Sequence, residues 1–342
     1  MGVRGAYVVA SLRRGGWYDD VDFTKRIGTN SVAQIMGIES TKNGASKPLV
    51  TVGLPVFNGE RYIQRAVESG LNQTLPDWEL ILSDNASTDN TGSICRELAT
   101  RDRRIRYVRK ETNIGPGANF MSVLREARTK YFSWLAHDDY FASNDRLEKL
   151  VARAEEGRFA LVSADVQIMR QTASGVELIT TLRPSTFFDG ITNRFRLNRA
   201  MILHYGVSHQ LYGLFNLELI TDLEEIFLSV PRLPCFGDGI ILHKIITTCD
   251  LAYVAGAPLA YVTHPKQASA TIPTPELLRA FVQYSRRVFA VYQGVHDYTA
   301  IQKLELLTLL GGIHGRYAAY LAAAATKQKL LRWIRGENAA QA

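Results

Sequence analysis

LVTVGLPVFNGERYIQRAVESGLNQ (49–73) is the stretch that decides the fold. LVTVGL (49–54) is a short apolar run of the kind that forms a strand buried on both faces, and Pro55 is expected to stop it. NGERYIQRAVESGLNQ (58–73) then sets Ile63, Val67 and Leu71 on one helical face, with Asn58 as the expected cap. One buried strand followed at once by one amphipathic helix is half of a βαβ unit.

The unit recurs downstream. ELILSD (79–84) reads as a strand and DNTGSICRELAT (89–100) as a helix capped by Asp89. IRYVRK (105–110) is a strand and GANFMSVLREAR (117–128) a helix. A further strand over 130–135 runs into His137, Asp138 and Asp139, followed by a helix near 145–156 and the strand FALVSAD (159–165). Strands alternating with helices predict a doubly wound, mainly parallel α/β sheet. Beyond 166 the alternation lapses. VQIMRQTASGVELITTL (166–182) reads as a hairpin, 190–228 as mixed and largely helical, and DGIILHKIITTC (238–249) as a helix. Short strands are expected at 251–255 and 259–263, and three or so helices over 275–335. Residues 1–47, rich in Gly, Asn, Ser and Thr without periodicity, read as a poorly ordered or loosely docked leader.

The 342 residues are 46% hydrophobic and 21% charged, enough for a sizeable core, and the net charge of +7 favours anionic partners. The basic residues are scattered, except in RDRRIRYVRK (101–110), whose alternation marks a strand edge. With no basic face interleaved with aromatics, no nucleic-acid partner is expected. Three cysteines, Cys95, Cys235 and Cys249, show no metal-ligand spacing and suit a reducing cytoplasm. The N-terminal segment has no h-region for a cleaved signal. LELLTLLGGIHGRYAAYLAAAA (304–325) is interrupted by Glu305, His314 and Arg316, so no transmembrane helix is expected. KQKLLRWIR (327–335) alternates basic and apolar residues, a pattern that suits peripheral contact with an anionic membrane as well as a solvated terminal helix.

A parallel sheet binds ligands at the carboxyl ends of its strands. PVFNGE (55–60), SDNASTDNT (83–91) and HDDY (137–140) all fall at such ends and should converge. Any one of them alone could be a turn or a cap. Carboxylates held side by side repel unless a cation intervenes, so Asp84 with Asp138 and Asp139 suggests a divalent metal, Mg²⁺ or Mn²⁺. Such an ion would neutralise a departing diphosphate.

Residues 49–165 resemble the nucleotide-binding half of the family 2 glycosyltransferases of GT-A fold. PVFNGERYIQRAVESGLNQT resembles their opening signature and SDNASTDNT their Asp-Gly-Ser-x-Asp-x-Thr stretch. NIGPGANF (113–120) is similar to their Asn-x-Gly segment, and WLAHDDYF (134–141) to their Asp-x-Asp site. FGDG (236–239) and YVTHPKQAS (261–269) extend the likeness. The resemblance implies a GT-A type sheet over 48–270, divided into a donor half (48–165) and an acceptor half (166–270), with a C-terminal helical segment over 271–342. It further implies an inverting transferase that uses a nucleoside-diphosphate sugar and a saccharide or lipid-linked acceptor, in cell-surface polysaccharide or glycolipid synthesis at the cytoplasmic side of the membrane. Pro55, Phe57 and Asn58 would border base and ribose, Asp84 would hold the base, and Asn113 and Gly115 would shape the pocket. Asp138 would contact ribose or diphosphate, Asp139 would ligate the metal with His264 near it, and Asp238 would be the general base.

Two positions depart from the family pattern. His137 stands where the first acid of the Asp-x-Asp site is expected, and Gly237 where an acid precedes the base. These departures keep open a catalytically weak sugar-nucleotide-binding scaffold. A nucleotidyltransferase is disfavoured because no Gly-rich loop with Arg and Lys follows the first strand. An oxidoreductase is disfavoured because G-x-G-x-x-G is absent. The structural alternatives at single residues are an N-cap for Asp238, a turn histidine for His264, core packing for Trp134, a helix-surface position for Asn119, and structural roles for His204, His209 and His243.

Overall fold

A computed structural model describes residues 47–184, 188, 190–191, 193–203, 208–229, 237–264 and 272–334. The leader reading of 1–47 therefore falls almost wholly outside the described residues, as do 265–269, Cys235 and His204.

The first half follows the expected alternation. It comprises β1 (Val50–Val56), α1 (Ile63–Leu71), β2 (Trp78–Asp84), α2 (Thr91–Arg101), β3 (Ile105–Arg109), α3 (Pro116–Glu126), β4 (Tyr131–Trp134), β5 (Tyr140–Phe141) and α4 (Arg146–Glu155). Strand β1 does not stop at Pro55: it runs on in parallel register, with Pro55 opposite Ser83 and Val56 opposite Asp84. The pairing of β1 with β4 ends at Gly53 and Trp134, so Pro55 sits beyond that ladder on one side. Asn58 is not the cap of α1, which begins five residues later.

The second half comprises β6 (Leu161–Thr172), β7 (Gly175–Leu182), α5 (Arg194–Leu203), a 3₁₀ turn (Ser208–Tyr212), β8 (Leu214–Asn216), α6 (Leu223–Leu228), α7 (Gly237–Thr248), β9 (Leu251–Thr263), α8 (Thr274–Gly294) and α9 (Ala300–Ile334). Three readings of the sequence are corrected here. The strand at 159–165 and the first arm of the hairpin are one long strand, β6. The two short strands after 250 are likewise one, β9, whose register against β6 shifts between Ala164 and Val166. Gly256, at φ +70, sits in the bulged part of β9. The C-terminal region holds two long helices rather than three. No helix among the described residues is long and apolar enough to cross a membrane.

The sheet order is β3-β2-β1-β4-β8-β6-β9-β5, with β7 added beside β6. The first four strands are parallel; β8, β7 and β5 each pair antiparallel with their neighbours. The result is the expected doubly wound sheet with a mixed second half. Val50, Val52, Leu54 and Val56 share a core with Ile63 and Val67 of α1, Leu98 of α2 and Leu147 of α4. Ile81, Phe132 and Trp134 face the other way, onto Val123 of α3 and Ile245 of α7. On that face Gly53 permits a close approach: a Cβ there would lie 2.6 Å from Val123 Cγ2. Trp134 is core, donating its indole N–H to Phe120 O at 3.1 Å.

Candidate active site

The loops after β1 and β2 are laced together. Asn58 N donates to Ser87 Oγ (2.9 Å), Thr88 N to Asn58 Oδ1 (2.8 Å) and Gly59 N to Thr91 Oγ1 (2.8 Å). Glu60 N donates to Asp89 Oδ2 (3.3 Å), and Asn90 N returns a bond to Glu60 Oε2 (3.0 Å). Asp89 also accepts Thr91 N at 3.0 Å, but the cap position of α2 is Asn90, so the expected cap stands one residue too early. Asn58 (φ +50) and Ala86 (φ +60) both adopt left-handed backbone at this join. Phe57 is left 41% exposed at the rim.

Asp84 is fully buried at the end of β2. Its Oδ1 accepts Ser87 N at 2.8 Å, and its Oδ2 accepts the Tyr107 hydroxyl at 2.9 Å and an Arg109 guanidinium N–H. This corrects the grouping of Asp84 with Asp138 and Asp139 around one ion. Strand β1 lies between β2 and β4, so the two strand ends are two spacings apart, about 10 Å. The charge beside Asp84 is Arg109. The sequence reading missed Arg109, although Tyr107 and Arg109 share one face of β3 by strand alternation. It also missed Asn85, which donates to Asn113 Oδ1 (2.9 Å) and accepts Ile114 N (2.9 Å), while Gly115 N donates to Asn113 (2.8 Å). Asn85 thus ties Asn113 and Gly115 to the end of β2. Asn119 is buried, not on the helix surface, and bonds both Ser83 Oγ (2.7 Å) and Ser83 O (3.0 Å).

The acids after β4 meet the end of β9. Asp139 is buried; its Oδ1 accepts Val262 N at 2.8 Å, while its Oδ2 is buried without a partner. Burial, reinforced by Asp138, holds the Asp139 carboxyl well above the ordinary carboxylate range. Asp138 lies 3.0 Å from His264 Nε2. Burial alone would raise Asp138, but the His264 hydrogen bond and the nearby His137 outweigh it and bring its pKa down. His264 stacks on Tyr62 at 5.1 Å, and Arg65 donates to the Asp138 carbonyl at 3.0 Å. His264 is therefore a partner of an acid rather than a turn residue. His137 packs against Gly59, where a Cβ would lie 2.6 Å from its ring, and burial pushes its pKa down.

Asp238 lies in the first turn of α7, exposed, with Gly239 N donating to its Oδ1 at 2.9 Å. Helix α7 packs on the 3₁₀ turn that carries Tyr212. Burial holds the Tyr212 phenol well above its ordinary value, and Asp139, Tyr261, Asp138 and Asp238 each push it further.

Among the described residues no three acid, histidine or cysteine side chains form a ready ligand set. The buried, partnerless Asp139 Oδ2 and His264 Nδ1 are nonetheless the kind of orphaned donors that a cation satisfies. A divalent ion with part of its shell supplied by a ligand fits these residues.

Comparison with known proteins defines the class. Residues 51–206 match the family model "Glycosyl transferase family 2". An uncharacterised glycosyltransferase of Haemophilus influenzae is 26% identical over 187 residues, covering 52% of this chain and 74% of that protein. TuaG of Bacillus subtilis, provisionally named as a teichuronic acid biosynthesis glycosyltransferase, is 32% identical over 148 residues, covering 43% of this chain but only 58% of TuaG. The fold is shared with S. aureus TarS 1–349 in complex with UDP-GlcNAc, with a TM-score of 0.59 at 17% identity, covering 78% of this chain and 72% of that one. Residues 51–206 are thus similar in sequence to the family 2 glycosyltransferases, and the α/β fold is shared with TarS.

Proposed function

We propose that the protein transfers a sugar from a nucleoside-diphosphate donor to an acceptor hydroxyl, with inversion, in the synthesis of a cell-surface polysaccharide or glycolipid. What supports this reading is that Asp138 and Asp139 are bonded to His264 and Val262 beyond the parallel strand ends, while helix α7, which carries Asp238, packs on the 3₁₀ turn of Tyr212.

The donor's base and ribose would lie along Pro55, Phe57 and Asn58, with Asn113 and Gly115 closing the pocket and the Asp84–Arg109 pair at its floor. Asp138 would face the ribose or diphosphate. Asp139 and His264 would hold a divalent cation, Mg²⁺ or Mn²⁺. When bound, that ion supplies positive charge to the leaving diphosphate. Asp238 stands exposed at a helix start, where it can accept the proton of an acceptor hydroxyl as that oxygen attacks the anomeric carbon from the face opposite the leaving group. Residues 170–235 would line the acceptor side. The basic C-terminal segment 327–335 would make peripheral contact with the membrane that holds a lipid-linked acceptor.

The test has two arms. A thermal-shift panel of nucleoside diphosphates and their sugars, with and without Mn²⁺, should show at least one donor that raises the midpoint in the presence of the metal, and Asp139→Asn should lose that metal dependence. Asp238→Asn should still bind the donor but lose about 100-fold or more in turnover. A wild-type protein that binds no member of the panel, or an Asp238→Asn variant as active as wild type, would remove this reading.

A further inference from the structure

Helix α7, whose first turn carries the proposed base, packs against helix α8, and Tyr284 meets that first turn. Gly239, immediately after Asp238, faces α8: a Cβ there would lie 3.0 Å from Tyr284 Cε2 and 3.4 Å from its hydroxyl. One turn further along the same face, His243 Nε2 lies 3.3 Å from the Tyr284 hydroxyl. Tyr284 therefore spans the first turn of α7, touching it at positions i and i+4.

The contact continues as a buried chain whose proton directions are fixed. Asn198 Oδ1 can only accept, so Tyr292 donates to it at 2.9 Å. The Tyr292 oxygen then accepts from His243 Nδ1, 2.8 Å away. A neutral imidazole with its proton on Nδ1 has Nε2 left as acceptor, and Tyr284 donates there. Asn198 Nδ2 in turn reaches the Tyr298 hydroxyl (2.7 Å) and the carbonyl of Ile246 on α7 (3.1 Å). Ile240 joins the same apolar cluster as Phe281, Tyr284, Val288 and Tyr292. Helices α5, α7 and α8 are thus bonded side chain to side chain within one dry cluster.

We propose that Tyr284, with His243 and Tyr292 behind it, is a positioning residue: it fixes the rotation and height of the first turn of α7 and so aims Asp238. The proposal rests on Asp238 being the base. It assigns the helical segment after residue 271 a part in turnover, through the aim of the base.

The experiment is a double-mutant cycle on the full chain, read as hydrolysis of UDP-GlcNAc or, where that sugar is not turned over, of the nucleotide sugar selected by the thermal-shift panel. Gly239→Ala should lower kcat by about fivefold or more with the donor KM within about twofold, because the added methyl must displace either the turn or Tyr284. Tyr284→Leu removes the brace and should lower kcat on its own; combined with Gly239→Ala it should add little further loss, so the two changes are non-additive. Tyr292→Phe breaks the chain one link away without adding volume and should also lower kcat alone. Unchanged kcat in both Gly239→Ala and Tyr292→Phe overturns the proposal, as does an unchanged kcat in Tyr284→Leu, or a Gly239→Ala loss that adds in full to that of Tyr284→Leu. An inactive wild type, or a fully active Asp238→Asn, would instead count against the function itself.

Discussion

Arg109 donates to the Oδ2 of Asp84, joining a guanidinium that reaches solvent to a carboxylate that does not. Removing the cation leaves a buried charge with only the Tyr107 hydroxyl and the Ser87 amide to solvate it. Arg109→Met should therefore lower the urea midpoint clearly. Asp84→Asn in the same chain should restore part of the loss, because it removes the charge left behind. Equal, additive losses would show that the pair is not a coupled unit.

Ala86 holds φ +60, a conformation that side chains other than glycine adopt at a cost. Ala86→Gly should stabilise the fold by about 1 kcal/mol, seen as a rise of a few degrees in Tm. A fall in Tm would mean that the backbone there is not left-handed in solution.

Arg146 is fully enclosed between α4 and the second half of the sheet. It donates to the carbonyls of Ala257 and, at 2.8 Å, Tyr212, and stacks over Phe141. Arg146→Met keeps the apolar stem but leaves two carbonyls unpaired, a loss of about 3 kcal/mol in unfolding free energy. Arg146→Lys, with one compact ammonium, should recover only part of it.

Burial lowers the His243 pKa to about 3 against an ordinary 6.5. The unfolded chain then binds a proton that the folded chain refuses between these values, so stability rises with pH across the window and is lost as pH falls below 6.5. At pH 5 the loss is about 2 kcal/mol from this residue. His314, pushed down to about 4 by burial, adds to it in the same direction. Denaturant titrations at pH 7 and pH 5 should show the drop, and His243→Gln should flatten it.

The first half of the fold was legible because the central strands are apolar on both faces, the edge strand β3 alternates, and each helix carries its own stripe: Ile63, Val67 and Leu98 fall where periodicity puts them. The positions of the acids at 138–139 and of Asp238 were legible for the same reason, being attached to strand and helix ends. What could not be read was pairing at a distance. The partnership of Asp84 with Arg109 depends on β3 lying beside β2, and that of Asp138 with His264 on β9 reaching β5, neither of which leaves a local pattern. The division of β6 and β9 into shorter strands failed because Asp165 and Gly256 look like breaks. In fact both are absorbed by one bulge, where Gly256 N bonds Asp165 Oδ2 at 3.2 Å.

The bonds from Val262 N to Asp139 and from His264 to Asp138 join residues more than 120 positions apart. They also join the matched segment 51–206 to chain that lies beyond it. Closing so long a loop comes late in folding, because its entropy is lost before the contact returns anything. A nascent chain that has emerged only as far as α6 would hold the laced loops and the Asp84 pocket, yet lack the edge against which Asp139 is oriented. On the proposed function, the order of assembly would separate grip from chemistry: competence to turn over a donor would arrive only when the last strand docks.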